Sequence, residues 1–256
     1  MTDSTRRNFL ARGTAGLGLL VLAGCKSLSQ TQWVQDLLYT AEDLNRRAQR
    51  LFAGSNALAR EYTKADIAPS FRANGTRDPA TPEYAALAGN GFSNWKLDVG
   101  GLVEHPLSLS LADLRGLPSR TQITRHDCVE GWSCIGEWTG VPLRLVLAMA
   151  KPKPKARYVV FYCADPMGRG ANAPLYYESL DLMEATHPQT ILAYQLNGET
   201  LPVEHGAPIR LRAERQLGYK MAKYIMRIEL VESFAHIGGG RGGYWEDHGY
   251  NWYAGI

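Results

Sequence analysis

What most restricts this chain is a series of short β-branched and aromatic runs that never settles into a strand–helix–strand rhythm. "YVVFYC" (158–163) is continuously apolar or aromatic, the pattern of a strand buried on both faces. "WKLDV" alternates Trp95, Leu97 and Val99 with polar residues and is closed by Gly100 and Gly101. "TILAYQL" ends on Asn197-Gly198, a tight-turn pair that leads into "ETLPV". "APIRLRAE" and "KYIMRIELVE" read as two more strands, the second placing Met226, Ile228 and Leu230 on one face. The helices between them are short. Ser110 is an N-cap with Asp113 three residues on, and Gly116 and Pro118 stop that helix. Pro142 opens another that runs to Ala150. Strands interrupted by short helices, without a repeat or a βαβα alternation, imply the α+β class.

Ahead of these runs, residues 31–53 predict an amphipathic helix. Trp33, Val34, Leu37, Leu38, Ala41, Leu44, Ala48, Leu51 and Phe52 recur at three- and four-residue steps. Residues 63–91 read as a loop-rich connection, being polar and rich in Pro and Gly. The first 24 residues read as an export signal. A basic start leads into an apolar run too short to span a bilayer. "TRRNFL" pairs Arg6 and Arg7 as a twin-arginine signal does, and glycines dilute the run that follows. "LAGC" resembles a lipobox, which would lipidate Cys25 and tether a periplasmic body to a membrane. The expected organisation is therefore a signal with lipobox over 1–24, a helical segment and linker over 25–89, and the main domain over 90–256. Net charge is +3, falling to about +1 without the signal, so there is no basic face for nucleic acid.

The densest chemistry lies in "TRHDCVEGWSCIGEW" (124–138). With Cys25 set aside, Cys128, Cys134 and Cys163 remain, an odd number for disulfides. A Cys128–Cys134 bridge would leave Cys163 single. Zinc would need about four nitrogen or sulfur ligands at paired spacing, and no second pair lies near. A thiol nucleophile needs a base, and His126 is a poor partner for Cys128. A thiolate can instead hold a soft metal that is carried mainly by an organic cofactor.

"CVEGWSCIGEWTGVPLRLVL" resembles the metal-ligating segment of the sulfite oxidase family of molybdopterin enzymes. The likeness is greatest to its exported bacterial branch, which includes the catalytic subunit of periplasmic methionine-sulfoxide reductase. It extends from about Asn90 to the C-terminus and includes "HPQTILAYQLNGETLPVEHGAPIRL", "GYKMAKYIMRIEL" and "GGYWEDHGY" in family order. The resemblance implies the sulfite-oxidase-type fold of mixed β-sheets with short helices. It implies one molybdenum–molybdopterin per chain, with Cys128 as the single protein thiolate on the metal. Asn90, Ser93 and Asn94 fall on the family's opening loop, and Cys163 at a pterin-contacting position. His205, Arg210 and Met221-Ala222-Lys223 fall where the family grips pterin and phosphate; Arg210 and Lys223 are chemically suited to a phosphate. Two departures stand out: His205 replaces a frequent Asn, and Cys163 replaces a Thr.

Glu130 near the metal would either manage a proton or serve as a structural carboxylate, and the sequence leaves both open. Cys134 reads as a packed thiol. A carboxylate in this place would repel sulfite, so a neutral S-oxide or N-oxide is the expected oxygen donor rather than sulfite itself. The family's dimerisation and haem domains are not expected in this length of chain. Electrons are therefore expected from a separate membrane haem or cytochrome partner, and export from the twin-arginine machinery. Three alternatives remain: a sulfite oxidase-like dehydrogenase, a metal-free or zinc lipoprotein that uses the fold for binding, and a thiol enzyme built on Cys128. In the tail, a glycine-rich turn around Arg241 precedes several aromatics. Such a turn can line a cleft, but the simpler expectation is an aromatic-anchored terminus covering the core.

Overall fold

The structure, a computed structural model, describes residues 31–54, 57–170 and 172–256. The twin-arginine pair Arg6-Arg7 and the lipobox Cys25 lie outside the described residues. The chain divides into two compact units, with the boundary between Gln49 and Arg50. The expected amphipathic helix is present as α1 (Gln32–Ala53), braced within the first unit by Asp43, which pairs with Arg46 and Arg47. Trp33, Leu44, Leu51 and Phe52 of its apolar stripe are exposed. Among the described residues, no helix is long and apolar enough to cross a membrane.

The second unit holds two five-stranded sheets. The first contains β1 (Lys96–Gly101), β2 (Leu107–Ser110), β5 (Tyr158–Pro166), β6 (Leu175–Asp181) and β10 (Ile225–Val231), in the order β2-β1-β10-β5-β6. Among the described residues of this sheet, β1 and β10 pair in parallel and the other pairings are antiparallel. The second sheet contains β3 (Arg120–Asp127), β4 (Ser133–Pro142), β7 (Ile191–Leu196) and β8 (Glu199–Thr200) in order, with β9 (Arg210–Arg212) also paired to β7. A mixed sheet and an antiparallel sheet with short helices between them are the α+β arrangement that the strand runs imply.

The local rules are obeyed where they were specific. Ser110 and Asp113 form a reciprocal capping box at the start of α3 (Leu111–Gly116): the Asp113 carboxylate accepts the Ser110 N–H at 2.9 Å, and Ser110 Oγ accepts the Asp113 N–H at 3.1 Å. Pro142 precedes α4 (Leu143–Ala150). Asn197 and Gly198 both take positive φ (52° and 82°), which a two-residue hairpin turn between β7 and β8 requires. The strand expected over "ETLPV" is cut to two residues. Pro202 has no N–H for a ladder, and residues 203–205 turn into a 3-10 helix. The stretch read as loop-rich contains a further helix, α2 (Pro82–Gly89). Thr81 Oγ accepts the Tyr84 N–H at 3.2 Å, and Pro82 stands in the first turn.

The main core is shared by both sheets and α4. It includes Trp95, Leu97, Val99, Phe161, Ile228 and Leu230 from one side, with Val141, Leu147, Leu192 and Leu211 from the other. The two outer faces are covered by irregular chain. Over the second sheet, Phe71 packs with Cys134, Trp138, Ile191 and Ala193. Over the first, Ile237 and Tyr244 pack on Val160, Tyr177 and Val231. The covering segment 57–77 is held along the β3–β4 hairpin. The Tyr62 N–H donates to Ile123 O (2.8 Å), the Ala68 N–H donates to Ile135 O (3.0 Å), and Glu61 bridges Thr124.

The join between β4 and β7 depends on a residue without a side chain. A Cβ on Gly140 would lie 2.2 Å from Leu192 O and 2.5 Å from Ala193 Cα, where the ladder register shifts. Gly140→Ala is expected to lower unfolding free energy by about 1–3 kcal/mol or more by forcing the two backbones apart. Gly116→Ala, with nothing within 4 Å, should stay within about 1 kcal/mol of wild type. Urea denaturation of the two variants checks this.

Candidate cofactor site

β3 and β4 form a hairpin whose last pair is Asp127 opposite Ser133, leaving Cys128 to Trp132 as its loop. Two backbone bonds close the loop: the Cys128 N–H donates to Trp132 O (2.9 Å), and the Gly131 N–H donates to Cys128 O (3.0 Å). Gly131 takes φ of +84°, which suits glycine in this turn. Cys128 is thus held at a hairpin tip, half-buried, with a fixed backbone. Burial raises its thiol above the ordinary cysteine range. The Glu130 N–H counters by favouring the thiolate, the Glu130 carboxylate opposes it again, and the Arg72 guanidinium favours it. Cys128, Cys134 and Cys163 are all free thiols. Cys134 is buried against the Ser70 carbonyl and Trp138, a packed neighbour with no bond to Cys128.

Cys128 opens onto a cavity of about 170 Å3. Val129, Glu130, Asp165, Tyr176, Met221 and Lys223 line it, with Asn74–Thr76 on one side and the aromatics Tyr219, Trp245 and Tyr250 on another. Trp245 and Tyr250 stack with ring centroids 5.3 Å apart, and Tyr219 meets Tyr250 edge-on at 5.1 Å. Glu130 is exposed and accepts the indole N–H of Trp132 at 2.8 Å.

Behind this cavity lies a buried cationic layer. Arg210 and Arg212 have no exposed surface, and their guanidinium carbons stand 5.0 and 4.5 Å from the Trp138 ring centre. Arg210 donates to His205 O (3.1 Å), and Leu211 N–H to Ala222 O (2.8 Å), which knits His205, Arg210 and 221–223 together. A Cβ on Gly206 would come within 2.8 Å of Lys223, so that turn also needs glycine. Arg212 grips both oxygens of Glu214 (2.9 and 2.6 Å) and donates to His126 Nδ1 at 3.0 Å. His126 Nε2 therefore carries the proton. Burial, then Arg212, Arg210 and Lys223, lower the His126 pKa, so the ring is neutral. Burial first and neighbouring cations second push His205 down to about 4, Arg210 to about 9 and Lys223 to about 7. The Lys223 ammonium donates to the carbonyls of Asn74 (2.7 Å), Thr76 and Glu204 (3.0 Å).

The eleven residues singled out from sequence divide into four groups. Cys128, Glu130, Met221 and Lys223 line the cavity. His205, Arg210 and Ala222 are buried immediately behind it. Cys163 is buried on β5, two residues before the cavity-lining Asp165, and burial followed by Asp165 and Glu178 raises its thiol strongly. Asn90, Ser93 and Asn94 are exposed, at and beyond the end of α2, and do not line the cavity. Phe92 between them packs on Tyr84, which packs on Tyr224 beside Lys223. The residues that sequence missed are Asp165, Tyr176, Arg212 and the 74–76 segment. The tail corrects an expectation: Trp245 and Tyr250 line the cavity rather than only anchoring the terminus, while Trp252 packs on Phe234 and Tyr158.

Several buried polar atoms in this region have no partner: His126 Nε2, Trp138 Nε1, Arg210 Nε, His205 Nδ1, Asp165 Oδ1 and Asn74 Oδ1. Each costs on the order of 1–3 kcal/mol unless something bonds it. Donors and acceptors interleaved with a cationic layer are what a flat, polar, phosphorylated ring system requires, so these residues fit a pterin. Among the described residues no three His, Cys, Asp or Glu side chains group to hold a metal themselves. Residues 85–236 match the family model described as the oxidoreductase molybdopterin binding domain.

The chain belongs to this molybdopterin-dependent oxidoreductase family. It is 38% identical, over 98% of its own length and 87% of the relative's, to YedZ1 of Azospira oryzae, which is provisionally named a protein-methionine-sulfoxide reductase subunit. It is 46% identical over 55% of its length to MsrP of Xanthomonas axonopodis pv. citri, named as a protein-methionine-sulfoxide reductase catalytic subunit; that match spans 46% of MsrP. The sulfane dehydrogenase SoxCD of Paracoccus pantotrophus covers 55% of the chain at 26% identity, with a TM-score of 0.49. As a member of this family the chain is a molybdenum-dependent oxidoreductase with a molybdopterin cofactor.

Thiol accessibility gives a direct check. In cofactor-free protein, iodoacetamide is expected to label Cys128 before Cys134 and Cys163, which are 8% and 2% exposed. Because the Cys128 thiol is raised, its labelling rate should climb about tenfold per pH unit from neutrality to beyond pH 9. Peptide mass mapping reads the order. Cofactor loading should protect Cys128.

Proposed function

We propose that the chain is the catalytic subunit of an exported reductase that removes oxygen from an S-oxide or N-oxide. The observation that carries this reading is the placement of Cys128: a single free thiol at a hairpin tip, facing a cavity that Glu130 and aromatic side chains share. One molybdopterin would be bound per chain, with Cys128 as the protein ligand to molybdenum. Arg210 and Lys223 would meet its phosphate. His126, His205, Trp138 and Asp165 would bond its ring edges through the atoms now without partners. When bound, the group supplies two-electron oxygen-atom transfer.

The chain's own residues then do the rest. The Glu130 carboxylate beside Cys128 disfavours sulfite, an anion, and leaves a neutral oxide as the better substrate. The Trp132 indole fixes one oxygen of Glu130 and leaves the other oxygen to hold or pass a proton at the cavity wall. The wall of Tyr219, Trp245 and Tyr250 excludes water and offers an apolar, polarisable face to a sulfur- or methyl-bearing group. The names of YedZ1 and MsrP support an S-oxide in particular. Electrons would come from a separate membrane haem or cytochrome partner. The twin-arginine sequence supports export of the loaded protein to the periplasm, and Cys25 supports a lipid anchor that keeps it beside that partner.

The test is elemental analysis joined to turnover. Protein matured by twin-arginine export should carry about one molybdenum per chain. Cys128→Ala should lose the molybdenum–thiolate signature in X-ray absorption and lower S-oxide reduction by roughly a thousandfold or more. Glu130→Gln should lower kcat by about 10²-fold while raising tolerance of sulfite. Turnover that survives molybdate starvation would sink the reading.

A further inference from the structure

One buried ionic group is left unused by the chemistry above. Lys220 donates to Oε1 of both Glu178 and Glu246, and all three side chains are at most 1% exposed. Each stands beside a residue that lines the cavity. Glu178 is two residues from Tyr176 on β6, Lys220 lies between Tyr219 and Met221, and Glu246 follows Trp245 on α5 (Tyr244–Asp247).

The charges do not balance. Two carboxylates and one ammonium would leave a buried net negative charge, which is costly without solvent. Sharing one proton between the carboxylates makes the group neutral. The hydrogen bonds indicate where that proton fits. Glu178 Oε1 is already taken by Lys220 and by the Ser179 N–H at 2.7 Å. Glu178 Oε2 faces the Tyr176 hydroxyl at 3.4 Å. Tyr176 in turn donates to the Tyr219 carbonyl, so its oxygen is open to accept from a protonated Glu178. Burial and then Glu246 hold Glu178 well above the carboxylate range, with Lys220 opposing. The other ionisable groups facing this cluster are Cys163, Asp165 and the Tyr177–Asp247 pair.

We infer that the Glu178–Lys220–Glu246 triad stores a proton and passes it through Tyr176 into the cavity during turnover. The inference rests on the reductase reading, in which removal of oxygen as water consumes two protons and two electrons. The electrons come from the external donor through the bound cofactor. In the proton step, the Glu178 Oε2–H bond breaks and a new O–H forms on Tyr176. Tyr176 turns its own hydroxyl proton from the Tyr219 carbonyl to the oxygen leaving the substrate, and the second proton comes from solvent by way of the free oxygen of Glu130 at the cavity wall. The triad is left at net charge −1 and regains its proton from solvent before the next cycle. Glu178 acts through Tyr176, so it is a positioning and proton-holding residue rather than one that touches substrate.

The experiment uses molybdenum-loaded wild type, Glu178→Gln and Tyr176→Phe, with dimethyl sulfoxide and trimethylamine N-oxide as substrates. Both variants should retain molybdenum and KM, lose about tenfold or more in kcat, and lose the wild-type solvent deuterium isotope effect and alkaline fall in kcat. Infrared spectra of the wild type at pH 7 should show a deuterium-sensitive carboxylic-acid carbonyl stretch that is missing from Glu178→Gln. Wild-type kcat in both variants overturns the inference. So does a lowered kcat with unchanged pH profile and isotope effect, which is the signature of a structural role. Absence of the infrared band also overturns it. A loaded wild type that reduces neither substrate sinks the reductase reading, and this delivery route with it, while the infrared band still reports whether the triad holds a proton.

Discussion

The buried guanidinium of Arg212 is the joint on which the cofactor site depends. It sits on β9, grips both oxygens of Glu214, bonds His126 on β3 and lies over Trp138 on β4. Gln122 on β3 joins the same group by donating to Glu214 at 2.8 Å. One planar cation therefore fixes the positions of β9 and both strands of the hairpin that ends in Cys128. Removing one partner of such a pair strands the other as a buried charge, at a cost of about 3–5 kcal/mol. The hairpin tip is set by this layer beneath it, since Val129, Glu130 and Gly131 at the tip are exposed.

The same layer explains why glycine appears where it does. A Cβ on Gly218 would lie 2.4 Å from the His126 ring, so the 218–220 turn approaches β3 more closely than a side chain allows. That close approach brings Tyr219 and Met221 to the cavity on one side of the turn's path and Lys220 to the buried carboxylates on the other. Two features that look separate in the sequence, the Cys128 motif and the glycine in "LGYKMAK", are in contact through one imidazole.

Much of the fold was legible because it rests on local chemistry. The capping box at Ser110, the turn at Asn197-Gly198 and the apolar run at 158–163 each specify one geometry. The hairpin of β3 and β4 was not legible as strands, because its inward positions are Gln122, Thr124 and His126 on one strand and Cys134, Gly136, Trp138 and Gly140 on the other, with Trp138 the one large apolar side chain among them. Gln122 and His126 are inward because they meet the buried Arg212–Glu214 pair, and no periodicity signals that. In the site, resemblance led to Cys128, Glu130, Met221 and Lys223, which the fold brings to one cavity. It did not lead to Asp165, Tyr176 or the 74–76 segment. Their roles follow from packing between elements far apart in the chain, such as the 149-residue separation bridged by Lys223 and Asn74.

The loop at the hairpin tip has a further consequence. Its shape is set by two backbone hydrogen bonds and by Gly131, while the exposed side chains of Val129 and Glu130 face the cavity and bond within the loop through the Trp132 indole alone. Substitutions at those two positions can change what the sulfur-bearing cavity accepts without disturbing the sheet below. In this chain, selectivity and stability are encoded by different atoms, so natural variation can explore one while the other is held constant.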